Sequence, residues 1–116
     1  MFEINAITFV TRGMAESVQF WTTAGLDVAF GGPDSSFTSL RFGDNFVNLT
    51  VDERDWSGFW GRVVFHVPSP DELWRTFADA GYRSETAPAD APWGERYFHI
   101  LDPDGHELSF ARRLSP

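Results

Sequence analysis

The sequence predicts an α+β fold made of two tandem βαβββ modules, and three observations predict it. Each half opens with a short β-branched apolar run followed by a stretch of helical periodicity. Each then continues as brief strand-like runs separated by turn residues. The halves also superpose at one constant offset, with Phe9 falling on Phe65 and Ala24-Gly25 on Ala80-Gly81. Module one covers 1–51, a connector covers 52–61, and module two covers 62–116 of a single domain.

In module one, Glu3 to Val10 is apolar and β-branched and predicts a strand. Met14 to Ala24 follows with Met14, Val18 and Trp21 at helical spacing, and Gly25 supplies a left-handed terminator. Leu26 to Phe30 predicts a strand closed by Gly31-Gly32-Pro33-Asp34. Phe37 to Phe42 and Phe46 to Val51 predict two more, joined by a tight Gly43-Asp44 turn.

Module two repeats the order. Arg62 to Val67 predicts a strand, and Ser69-Pro70-Asp71-Glu72 is a helix start. Ser69 can cap, Pro70 suits the first helical position, and Glu72 completes a capping box. Leu73, Phe77 and Ala80 form the buried stripe, and Gly81 ends the helix. Extended pieces are predicted near Arg83 to Thr86, Tyr97 to Leu101 and Glu107 to Arg112. The last two flank Asp102-Pro103-Asp104-Gly105, whose residue types favour a turn. His106, just after it, is expected to face solvent.

Composition narrows the function. The 116 residues suit one compact domain, and 42% apolar with 22% charged residues is a globular balance. Twelve Phe, five Trp and two Tyr exceed what so small a core needs, so some rings are expected to line a ligand site. The net charge of −8 opposes nucleic acid and anionic membranes and favours cationic ligands. Without cysteine there are no disulfides, thiolate metal sites or Cys nucleophiles. All nine basic residues are Arg, which reads as the composition bias of a bacterial genome. No apolar run approaches a bilayer span and Met1 opens no signal-like stretch, so a cytoplasmic protein is expected. The connector is unusual in carrying Trp56, Phe59 and Trp60 among acids, which points to a shared interface and a dimer.

The chain resembles the vicinal oxygen chelate superfamily, also called the glyoxalase/bleomycin resistance/dioxygenase group, and most closely the bleomycin resistance proteins. The residues behind this are Ser17-Val18-Gln19-Phe20-Trp21-Thr22 and Asp71-Glu72-Leu73-Trp74 on the two helices. Pro92-Trp93-Gly94-Glu95-Arg96 follows, continuing through Phe98 to Asp102-Pro103-Asp104-Gly105-His106. The resemblance implies modules that curve a mixed sheet around a cavity, helices outside, with the fourth strand of each beside its first. Alternation along those strands then aims Phe37, Ser39, Arg41, Phe46 and Asn48 into the cavity from module one. From module two it aims Arg62, Val64, His66, Tyr97, His99, Glu107 and Ser109 inward.

Enzymes of this superfamily hold a divalent metal at four equivalent strand positions, which here read Ala6, Asn48, Arg62 and Ser109. None is a usual ligand, so neither metal nor cofactor is expected and the metal-dependent reactions of the group lose their basis. An alternative enzyme reading keeps a non-standard metal site at His66, Glu107 and His99, or metal-free acid–base work by Glu107 with His66. Ser109 beside His99 is a further pair, lacking an orienting acid. The resemblance favours a homodimer that sequesters a planar, antibiotic-like small molecule. Trp56, Phe59, Trp60 and Trp93 join the inward residues as its binding set. Net charge favours a cationic ligand, whereas Arg41 and Arg62 would suit an anionic one. A sensor or accessory subunit with no drug role is the third reading.

Overall fold

The computed structural model describes residues 3–52 and 62–115. The chain divides into two compact units, 1–58 and 59–116, and each is a βαβββ module. The predicted fold is the one observed: two helices and eight strands in two mixed, four-stranded sheets.

Module one runs β1 (Ala6–Thr11), α1 (Met14–Thr23), β2 (Asp27–Phe30), β3 (Phe37–Phe42) and β4 (Asn45–Val51). Its strand order is β1-β4-β3-β2, with β1 and β4 parallel and the other pairs antiparallel. The Thr11 hydroxyl sets the entry to α1 by accepting from the Gly13 N–H at 3.1 Å and donating to its carbonyl at 3.0 Å. Met14, Val18, Phe20 and Trp21 are buried along α1, and Phe9, Leu40, Val47 and Leu49 are buried on the sheet. The Trp21 ring stacks on Phe9 at 5.7 Å and meets Phe20 edge-on at 5.4 Å. Gly31 has φ +81°, and a Cβ there would collide with the carbonyl oxygen of Phe37, so only glycine fits between β2 and β3.

Module two runs β5 (Arg62–His66), α2 (Pro70–Asp79), β6 (Ala89–Asp90), β7 (Glu95–Leu101) and β8 (Glu107–Arg113), in the order β5-β8-β7-β6. Ser69 caps α2 as its sequence predicts, its Oγ accepting from the Glu72 N–H at 3.2 Å. Phe65, Phe77, Phe98 and Phe110 form the core, with Phe110 5.3 Å from Phe65, 5.6 Å from Phe98 and 5.9 Å from Phe77.

Several expectations need correction here. Ala80, expected in the buried stripe of α2, is exposed, and β1 begins at Ala6 rather than Glu3. The piece from Arg83 to Thr86 is no strand, contributing a single bridge from Ser84 to Ile100, and Ala89–Asp90 forms the sheet edge instead. The Ser84 hydroxyl curls that segment by donating to the Thr86 carbonyl while accepting from the Trp74 indole, both at 2.8 Å. β7 begins two residues before Tyr97, at Glu95. His106 is only 5% exposed, because the Asp102 carboxylate accepts its backbone N–H at 2.9 Å and draws the residue inward. No helix among the described residues is long and apolar enough to cross a membrane.

Candidate functional site

In module two α2 packs on β7 and β8 and covers one face of the sheet. Strand alternation then assigns the side chains of the other face. Register places Val64 opposite Ser109 opposite His99, and His66 opposite Ala111 opposite Tyr97. The central strand therefore contributes small side chains while its neighbours contribute large ones. The result is a cleft of about 190 Å³, with Ser109 and Ala111 between the taller Arg62, Trp93, Tyr97 and His99. That volume lies below the roughly 300–1,000 Å³ of drug-sized sites, and suits one flat ring system better than a whole large ligand.

The rings form a continuous row. Trp93 lies 5.4 Å from Tyr97, and Tyr97 lies 4.9 Å from His99. Trp93 is 66% exposed, a large apolar surface left in water beside the cleft. Its Nε1–H donates to Glu95 Oε1 at 2.9 Å, while Glu95 Oε2 bonds His66 Nε2 at 2.9 Å. These two bonds, Trp93 first, hold the Glu95 carboxyl below the usual carboxylate range. Arg62 is ion-paired with Glu107, Nη2 to Oε1 at 2.7 Å. His99 Nδ1 lies 2.6 Å from Ser109 Oγ, and burial, then the nearby Arg62 charge, push its imidazole below the ordinary histidine range.

Module one also presents the face its sequence predicts. Ser39 pairs with Asn48 and Arg41 with Phe46, while the Phe37 ring sits 6.4 Å from Phe30. The Arg41 guanidinium stands 6.0 Å over the Phe46 ring, and Asn48 Nδ2 donates to Thr8 Oγ1 at 3.5 Å. Trp56, Phe59 and Trp60 lie outside the described residues.

The family model for the glyoxalase/bleomycin resistance protein/dioxygenase superfamily matches residues 3–110, almost the entire chain. The chain belongs to this superfamily. Similar solved structures include a superfamily member from Nocardioides, at 21% identity and TM-score 0.77, covering 99% of this chain and 85% of that one. A bleomycin-binding protein complexed with bleomycin matches at 18% identity and TM-score 0.76, covering 97% of this chain and 99% of that one. The bleomycin resistance determinant encoded on transposon Tn5 matches at 18% and 0.79, covering 97% and 98%. At these identities the likeness shows a shared fold. No curated protein matches in sequence.

The superfamily's metal does not fit the residues this member offers. Ala6 has no donor atom, and the Arg62 guanidinium has no lone pair and is already bound to Glu107. The alternative set is also overturned as a metal site. His66 is bonded to Glu95, Glu107 to Arg62 and His99 to Ser109, so the three serve separate partners. Among the described residues no group of three or more His, Asp or Glu could hold a metal ion. Glu107 and His66, the pair expected for acid–base work, are bonded to different partners, Arg62 and Glu95. His99 and Ser109 are neighbours as expected, but Ser109 is only 3% exposed and no carboxylate among the described residues hydrogen-bonds the His99 ring.

The cleft thus gathers Arg62, Trp93, Tyr97, His99 and Ser109, with His66 joined to it through Glu95. Glu107 stands beside it as the partner of Arg62. Val64, though placed on the inward face, was absent from the predicted binding set, and so were Glu95 and Ala111. Their signal is the alternation itself, since Glu95 extends the series of Tyr97 and His99, while Ala111 extends that of Ser109.

Proposed function

We propose that this protein is a small-molecule binder that acts by sequestration, seating a flat aromatic, antibiotic-like compound on the open face of β5, β8 and β7. The exposed Trp93 ring beside Tyr97, standing over small Ser109 and Ala111, carries this reading. A flat ligand laid there gains offset stacking and removes the exposed indole from water, while the polar groups around it set its orientation. The bleomycin complex of a protein with this fold supports the ligand class. Arg62 gives little attraction to an anion because Glu107 already neutralises it. The cleft holds one ring system, so a larger ligand needs a second wall, which a partner chain supplies in a homodimer.

Metal-free bleomycin and a panel of flat aromatic compounds, titrated against the protein and then recovered for mass spectrometry, test the proposal. Saturable uptake with the ligand returned unaltered is the expected result. Catalytic conversion of a ligand, or no saturable uptake by any, would overturn it.

A further inference from the structure

We infer that the Trp93–Glu95–His66 array is a charge-selecting subsite, in which Glu95 takes a cationic group of the flat ligand and protonated His66 competes for the same carboxylate. This rests on the binding reading above and deepens it. Glu95 Oε1 is held by the Trp93 indole and Oε2 by His66 Nε2, both at 2.9 Å, so one carboxylate ties an exposed ring to a titratable one. A cation lying against the Trp93 and Tyr97 faces reaches both the ring quadrupoles and this carboxylate.

The other charged groups around the array are already committed or fixed. On β5, Arg62 is paired with Glu107 of β8. On β7, Arg96 is bonded to Asp71 of α2 and Asp90 of β6. On β8, Arg113 stands opposite Glu95 as a permanent charge, with Arg112 opposite Arg96. His99 is engaged with Ser109. His66 is therefore the titratable ring bonded directly to the Glu95 carboxylate.

The direction follows from linkage. Neutral His66 adds no charge of its own, so Glu95 meets a cation with only the fixed Arg113 charge opposing it. Imidazolium at 2.9 Å cancels that charge and repels the ligand, so a cation binds more weakly in acid and its binding displaces the proton. A neutral flat ligand has no such dependence.

Two dyes sharing one tricyclic frame test this: N-methylacridinium, a permanent cation, and neutral N-methylacridone. Each is titrated by fluorescence against wild type, His66→Gln and Glu95→Gln at about pH 8 and about pH 5. Wild type should bind acridinium about tenfold more tightly at the higher pH, and acridone equally at both. His66→Gln should remove the pH dependence, and Glu95→Gln should weaken acridinium at the higher pH while sparing acridone. In unsubstituted protein, saturating acridinium should lower the His66 titration midpoint followed by NMR. A pH dependence that survives His66→Gln, or an unmoved His66 midpoint, overturns the subsite while acridone binding leaves the binding reading standing. If neither dye binds any of the three proteins, the subsite and the binding reading fall together.

Discussion

Arg96 of β7 and Asp71 of α2 form a two-pronged ion pair, with Nε 2.6 Å from Oδ1 and Nη2 2.9 Å from Oδ2. A third bond, Nη1 to Asp90 Oδ1 at 3.0 Å, reaches the edge strand β6. One guanidinium thus ties the strand that carries Glu95, Tyr97 and His99 to the helix α2 and to the edge strand β6. Arg96→Lys keeps the charge but loses the planar fork. A lowered melting temperature is expected, small because the pair is partly solvated. The guanidinium holds the Asp71 carboxyl below its ordinary value, so this stabilisation is full above the usual carboxylate range and lost as pH falls through the lower folded value. The gap in melting temperature between wild type and variant should accordingly close in acid, which a series of thermal scans across pH would reveal.

Asp102 should behave in the opposite sense. Burial, chiefly, pushes its carboxyl up to about 6, although Oδ1 accepts the backbone N–H groups of Asp104 and His106 at 3.0 and 2.9 Å. The folded state then holds this proton more tightly than the unfolded chain. Its contribution, up to about 3 kcal/mol, is full below the ordinary carboxylate range and disappears as pH rises through about 6. Asp102→Asn keeps an acceptor without the charge. Chemical denaturation should show the variant at least as stable as wild type at neutral pH, with a flatter profile between about pH 4 and about pH 6.

Gly105 turns the chain between β7 and β8 with φ +88° and open space where a Cβ would lie. The cost of a side chain there is conformational rather than steric. Gly105→Val should lose about 1 kcal/mol or more. An unchanged melting temperature would show that the turn tolerates a β-branched residue.

Much of the fold was legible because its signals are local. The Ser69 cap and the Gly43-Asp44 and Asp102-to-Gly105 turns are each set within a few residues, and all occur where the sequence predicts. The site was legible only in part, because it depends on pairing between distant strands. Alternation put His66 on the right face, but the choice between Glu107 and Glu95 as its partner rests on register. Arg62 lies opposite Glu107 on the parallel neighbour and takes that carboxylate, leaving His66 to reach Glu95, twenty-nine residues away. His106 misled for a related reason. Its position after a turn suggests exposure, but the Asp102 side chain binds its backbone and turns it inward.

The proposed homodimer predicts a specific sedimentation result. Val28, Phe30, Phe37 and Val51 of module one are large apolar residues left at least a third exposed, a surface that a partner would cover. Sedimentation equilibrium at micromolar concentration should give the mass of two chains. A stable single-chain mass would count against the shared ligand wall.

The most direct test of sequestration on the β5–β8–β7 face is calorimetric titration of metal-free bleomycin into wild type and Trp93→Ala. Trp93 stands at the cleft with its ring in water, so its loss should leave the fold intact and remove a stacking contact. Stacking beyond burial is worth roughly 0.5–1.5 kcal/mol, so affinity should fall roughly two- to twelvefold, and further once the lost burial is added. Saturable binding to wild type with that loss in the variant is the predicted result. Equal affinity in the two proteins would contradict the account.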